Sequence, residues 1–254
     1  MKTLQAWECV LIAAALLVAA AGACFAQAAT AATGPVTATV APSGLIEVSD
    51  GSGLLATIDL NAHGPGWDNV TQSMGSGEFT GAAGDKALQV TGTLPVPKTE
   101  DGVLDFTESV TALAQGLRIE YDLSAPKTVS LNGLQLSINL PVARYGDGEV
   151  MILRPHDDPD IAGLPAEPVE GRTQLWRGDG ATIEVGTDTP EAIKVQLRAA
   201  TDVFIQDLRQ WEHDIFEVRF PAIMEDPPRE VMAGDRFHLD LTITFAGPFT
   251  LKKG

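Results

Sequence analysis

Residues 116–141 read GLRIEYDLSAPKTVSLNGLQLSINLP, two runs in which apolar and polar side chains alternate almost without a break. In the first, Leu117, Ile119, Tyr121 and Leu123 point one way and Arg118, Glu120 and Asp122 the other. In the second, Leu134, Leu136, Ile138 and Leu140 share a face opposite Gln135, Ser137 and Asn139. A period of two is the signature of a half-buried β-strand. If the runs pair through the connection at 125–132, their polar faces lie side by side as one sheet of hydrogen-bonding groups. A solvated surface is the plainer reading of such a face.

The same period recurs along the chain, at ALQVTGTLPV, VLDFTESVTAL, EVMILRP, ATIEVGT, IKVQLRAATDVFIQDL, IFEVRFP and FHLDLTITF, with Gly, Pro, Asp and Asn in nearly every gap. Residues 44–60, GLIEVSDGSGLLATIDL, break at Ser49-Asp50-Gly51-Ser52-Gly53, a strong hairpin signal because Asp-Gly accepts the positive φ of a tight turn. No segment holds a period of 3.6 with caps, although GDKALQ and TPEAIKV have room for a helical turn. Strand after strand without crossover helices predicts an all-β chain, a large antiparallel two-sheet β-sandwich of supersandwich or jelly-roll type.

The opening residues, MKTLQAWECVLIAAALLVAAAGACFAQAAT, have the basic start, apolar core and small-residue end of a secretory signal peptide, with Ala26-Gln27-Ala28 as the cleavage site. The expected organisation is a signal peptide over 1–28, a flexible lead-in over 29–43 and one sandwich domain over 44–254. The product is then secreted or periplasmic, and fits a Gram-negative bacterium best. Cys24 follows Ala21-Gly22-Ala23, the place of a lipidated cysteine, but Ala21 stands where such signals normally carry Leu. A lipid anchor at Cys24 is therefore the disfavoured alternative, and no membrane span is expected. Both cysteines, Cys9 and Cys24, fall in this leader, so a disulfide scaffold and thiol catalysis are excluded for the domain.

The formal charge of −17 repels phosphate backbones and anionic lipid, which argues against nucleic acid and peripheral membrane as partners. It fits a neutral or cationic partner, or simple solubility. Arg118, Glu120, Asp122, Gln135 and Asn139 are the side-chain types that take sugar hydroxyls from a sheet face. The segment DLRQWEHD adds Asp207, Arg209 and Trp211, an aromatic plate among charged neighbours. Its plainer role is to close a sandwich edge. Trp67-Asp68 after HGPG and Trp176-Arg177 are further stacking candidates.

Glu120 and Asp122, two apart on one face, are the candidate catalytic pair, as two carboxylates serve glycoside hydrolysis. Glu120-Tyr121-Asp122 resembles the start of the E-x-D-x-x-E strand of laminarinase-type glycosidases, but position 125, where the second Glu belongs, is Ala125. Asp157, Asp158 and Asp160, in the loop RPHDDPD, are the candidate ligands of a structural Ca²⁺, against a solvated acidic loop as the favoured reading. No other cofactor is expected. His63, His156, His213 and His238 are scattered, with no zinc motif.

The run of strands from DFTESVTAL through GLRIEYDL, GLQLSINLP, ATIEV and VFIQDLR to AGDRFHLDLTITF is similar to the supersandwich of galactose mutarotase-like proteins, over roughly residues 80–246. That resemblance implies the fold. Mutarotase chemistry would need two His and a Glu in one groove, and His156, His213, His238 and Glu120 match none of the family's motifs, so no catalytic residue is carried over. The first expectation is a secreted carbohydrate-binding sandwich accessory to polysaccharide processing, using the polar sheet face or Trp211. The alternatives are a glycoside hydrolase or polysaccharide lyase working through Glu120 and Asp122, and an envelope protein with a purely structural role.

Overall fold

Strand β1 (Val36–Val40) leads into the hairpin of β2 (Ile46–Asp50) and β3 (Gly53–His63), in a computed structural model that describes residues 35–80 and 86–254. The hairpin closes as its sequence predicts. Asp50 pairs with Gly53, Gly53 takes φ +135°, and Asp50 Oδ1 accepts from the Ser52 and Gly53 amides at 2.7 and 3.1 Å. The segment expected as a flexible lead-in is thus strand from Val36 on. Val36, Ala38 and Val40 alternate inward and are fully buried, which gives a short Thr/Ala/Val stretch enough apolar surface to order it. The expected signal peptide and Cys24 lie outside the described residues.

The chain continues through β4 (Asn69–Thr71), β5 (Ser76–Phe79), β6 (Ala87–Pro95), β7 (Val103–Leu113), β8 (Gly116–Ser124) and β9 (Val129–Pro141). The short helix α1 (Val142–Tyr145) precedes β10 (Gly148–Leu153), β11 (Asp160–Leu164), β12 (Gln174–Val185) and β13 (Ile193–Asp207). Last come β14 (Ile215–Val231), β15 (Arg236–Phe245) and β16 (Phe249–Lys253). Of the segments with room for a helical turn, TPEAIKV forms none, since Ile193 opens β13 after a turn closed by the Thr189 hydroxyl on the Gly186 carbonyl, and GDKALQ, whose first two residues lie outside the described residues, enters β6 at Ala87. Among the described residues no helix is long and apolar enough to cross a membrane.

The two layers part at β13. Its first half, Ile193–Leu197, pairs with β15, which continues to β8, β7, β6 and β5. Its second half, Phe204–Asp207, pairs with β14, which continues to β9, β3, β2, β1 and β16. All these ladders are antiparallel except β1 with β16. The result is the expected all-β, two-sheet architecture, with one hydrophobic core drawn from both sheets. Leu117, Ile119, Tyr121 and Leu123 of β8 and Leu134, Leu136, Ile138 and Leu140 of β9 all enter it. Each fully buried Leu or Ile contributes about 1.5–3 kcal/mol of transfer free energy.

The opening stretch is corrected in one respect. β8 and β9 do not pair: β8 lies between β7 and β15, and β9 between β3 and β14, in the other layer. Alternation fixes which side chains face inward but leaves the neighbouring strand open. The polar sides of the two runs therefore end on different surfaces.

Candidate functional site

On β8 the polar face is a surface lattice. Arg118 grips Asp240 of β15 through two hydrogen bonds of 3.0 and 2.7 Å and holds Glu120 at 2.9 Å, while Asp122 pairs with His238 at 2.9 Å. Asp240 is held below the ordinary carboxylate range chiefly by Arg118. Glu120, His238 and Asp240 bring donor atoms within 4.8 Å of one another. Arg118, already bound to both carboxylates, supplies the positive charge there.

On β9 the polar face is buried instead. Asn61 of β3 donates to Ser137 at 2.9 Å, and Ser137 donates to Glu217 of β14 at 2.6 Å. The other oxygen of Glu217 accepts from Arg219 Nε at 2.6 Å, and Asn139 donates to Thr57 at 3.2 Å. The amide of Gln135 stands 3.0 Å from His63 Nε2, and His63 Nδ1 stands 3.4 Å from the Trp67 carbonyl. The tautomer with its proton on Nδ1 satisfies both contacts. Burial first, and then the nearby Arg219 charge, push the His63 pKa down, so the imidazole is neutral.

Above this floor lies a recess of about 370 Å³ between two loops. One wall is Trp67, in the HGPGW turn that follows β3. Gly66 (φ +79°) and Trp67 (φ +65°) turn their amides onto Asn132 Oδ1 at 2.9 and 3.4 Å, and Asn132 in turn donates to the Glu225 carbonyl at 2.7 Å. The other wall is Trp211, in the 3₁₀ turn Arg209–Trp211. Trp67 and Trp211 are 38% and 52% exposed, although both belong to a class of side chain that is normally covered. Between them stand His63, Gln206 of β13, Arg219 and the exposed His213. Arg219 lies over the Phe204 ring at 5.6 Å.

The sequence candidates sort by this geometry. Trp211 and Trp67 line the recess, and Gln135 is buried against the lining residue His63. Asn139 is one row away on β9. Asp207 and Arg209 serve the loop rather than its surface: they share an ion pair of 2.7 Å, and Arg209 also donates to the Pro165 carbonyl at 2.8 Å and covers Phe216 at 5.1 Å. Burial raises the Asp207 pKa, but the Arg209 bonds outweigh it and hold the carboxyl low. Arg118, Glu120 and Asp122 are on the other layer. Asp157 and Asp160 turn onto Arg154 at 3.3 and 3.1 Å, which places a cation of the protein's own where their charge gathers. Trp176 packs against the core.

Sequence reading passed over Gln206, Glu217 and Arg219 and left His63 among scattered histidines. Their signal was present: IFEVRFP sets an acid and a base two apart on a strand otherwise apolar, and Gln206 interrupts the run VFIQDL.

No family model and no curated protein sequence matches the chain. Solved structures do match. A candidate aldose 1-epimerase from Escherichia coli K12, 9% identical, superposes over 82% of this chain and 98% of its own with a TM-score of 0.50. A galactose mutarotase-like protein from Lactobacillus casei is 10% identical over 80% of this chain and 94% of its own, with a TM-score of 0.47. An aldose epimerase homologue from C. elegans is 10% identical over 84% and 99%, also at 0.47. The fold is similar to that of the Escherichia coli protein. At 9% identity the likeness is one of backbone architecture, and the recess is read from this chain's own residues.

Proposed function

We propose that the chain is a secreted or periplasmic carbohydrate-binding protein, accessory to polysaccharide processing, and that the saccharide lies in the recess between Trp67 and Trp211. The observation that carries this reading is the pair of half-exposed indoles, each held by a braced loop, facing a floor of amide and guanidinium groups. Indole faces cover the apolar side of a pyranose, and a few placed polar groups then take its hydroxyls. A recess of about 370 Å³ lies at the small end of ligand sites, which run from about 300 to 1,000 Å³. It suits a short stretch of glycan.

Binding is favoured over turnover because the two buried proton-transfer groups, His63 and Glu217, are already engaged, which leaves the exposed His213 without a carboxylate beside it in the lining. Both nitrogens of His63 have partners, and both oxygens of Glu217 are held by Ser137 and Arg219. Affinity electrophoresis through gels containing neutral and acidic polysaccharides tests the proposal. The protein is retarded by a subset of glycans, and Trp67→Ala and Trp211→Ala each weaken retention on the order of tenfold, since base or sugar stacking on one aromatic is worth about 1–3 kcal/mol. Their melting temperatures stay near that of the parent, because both rings are largely outside the core. Uniform mobility in every gel removes the proposal.

A further inference from the structure

The recess differs in charge from the molecule that carries it. In a chain of net charge −17, the lining holds the Arg219 guanidinium and two imidazoles, and no carboxylate. Glu217 lies behind Arg219, with its oxygens taken by Ser137 and by Arg219 Nε. That single bond fixes the plane of the guanidinium, and Phe204 supports it from one side. The two terminal nitrogens of Arg219 have no hydrogen-bond partner among the described residues. A second arginine, Arg177, covers the same Phe204 ring at 5.9 Å, but its Nε and Nη2 are bound to Asp202 at 3.3 and 2.7 Å. Of the two arginines over Phe204, Arg219 is the one whose terminal nitrogens are free of partners among the described residues.

Gln206 supplies an independent observation. It is 9% exposed, and its Oε1 is buried without a partner. No side-chain hydrogen bond of Gln206 forms among the described residues. Buried polar groups of this kind nearly always have partners. Gln206 lines the recess together with Arg219, and its amide reaches a ligand hydroxyl through the part of the side chain that remains exposed.

We infer that the recess selects an acidic saccharide, a pyranose carrying an oxyanion, whose charged group lies on the Arg219 fork while a neighbouring hydroxyl bonds Gln206. The inference rests on the recess being the carbohydrate site. A planar guanidinium with two free amino groups matches the paired oxygens of a carboxylate or sulfate, whereas a neutral hydroxyl uses one donor. Of the carboxylates that flank lining residues in the sequence, Asp68 pairs with Lys98 and Asp207 with Arg209, while Glu212 and Asp214 are exposed to water and salt. The protein's more distant negative charge is screened beyond a Debye length of about 8 Å at physiological salt, and it opposes a long polyanion more than a short one. Short acidic oligosaccharides are better probes than long polyanions for the same reason.

The test is calorimetric titration of the protein with trisaccharides of galacturonate and of alginate, each beside its carboxyl-reduced neutral counterpart, and with a sulfated carrageenan disaccharide beside its desulfated form. At least one acidic probe binds about tenfold or more tighter than its neutral partner, the range expected for charge-assisted hydrogen bonds. Uronates alone or sulfates alone then identify the oxyanion. Arg219→Gln abolishes the preference, and Gln206→Leu weakens acidic and neutral members alike. Arg219→Lys keeps a cation beside Glu217, so it preserves the fold if Arg219→Gln does not, and it cuts the preference several-fold by losing the fork. Neutral probes bound as tightly as acidic ones, or a preference unchanged in Arg219→Lys, overturn the inference and leave the glycan reading standing. No binding of any probe overturns both.

Discussion

Glu108 of β7 is a carboxyl with no room for its charge. It is fully buried, its Oε1 has no partner, and its Oε2 accepts from Gln72 at 3.1 Å. Gln72, from the 3₁₀ turn Gln72–Met74, also takes the Tyr121 hydroxyl at 2.8 Å and the Leu60 amide at 3.3 Å, and so ties β3 of one layer to β7 and β8 of the other. Burial drives the Glu108 pKa from 4.5 up to about 8, and that of Asp59 from 3.8 to about 7. A carboxyl raised in the folded state is protonated there at pH values where the unfolded chain has released its proton. Its stabilising effect is complete below the unfolded pKa and is lost as pH rises through the folded one. The melting temperature therefore falls between pH 4.5 and about 8. Glu108→Gln, neutral throughout, removes about half of that slope, Asp59 supplying the rest, and melts above the parent at the alkaline end, on the order of several degrees higher. A slope unchanged in the variant would show that Glu108 is not its source. In the sequence this residue sits at an inward position of VLDFTESVTAL, between Phe106 and Val110; the period marked it as buried, but nothing local announced that Gln72 would meet it from the opposite sheet.

At the level of elements, turns and faces were legible because they depend on neighbours in the chain. Ser49-Asp50-Gly51-Ser52-Gly53 specifies its hairpin through the Asp50 carboxylate and the positive φ of Gly53. The same carboxylate reaches beyond the turn: Arg144 of α1 binds it at 2.9 Å and also meets Ser52. Burial raises the Asp50 pKa, and the Ser52 and Arg144 bonds more than offset this and hold it low. Asp50→Ala removes the turn's bonds and the tie to α1 together. It lowers stability by about 1–2 kcal/mol, from lost hydrogen bonds to a charged acceptor, read as a shifted denaturant midpoint with unchanged slope. A variant indistinguishable from the parent would assign the hairpin to Gly51 and Gly53 alone. What elements did not reveal was partnership. GLRIEYDLS and LQLSINLP showed their faces plainly, yet β8 meets β7 and β15 while β9 meets β3 and β14. The same period gave Arg118, Glu120 and Asp122 a surface of ion pairs, and gave Gln135 and Ser137 a buried polar network under His63 and Glu217.

In the whole molecule the recess is a product of topology. Trp67 and His63 come from the end of β3, Gln206 and Trp211 from the end of β13, and Arg219 from β14, and they converge because β9 joins β3 to β14 in the ladder. Segments that distant in the chain share no local signal, so sequence alone named Trp211 and Trp67 as separate stacking candidates and could not show that they line one recess. Loop bracing is also a long-range matter, with Asn132 holding the Trp67 turn and Arg209 tying the Trp211 turn to the 165–166 backbone. The fold itself was legible, since the succession of half-buried strands without crossover helices admits few layer architectures. The most direct measurement is a crystal structure of the protein with a bound oligosaccharide from the retarding subset. Density for a sugar ring between Trp67 and Trp211, with its polar edge on Gln206 and Arg219, is the expected result. A ring seated instead on the Arg118–Glu120–Asp122 face of β8 would refute the assignment of the recess and return the site to the other sheet.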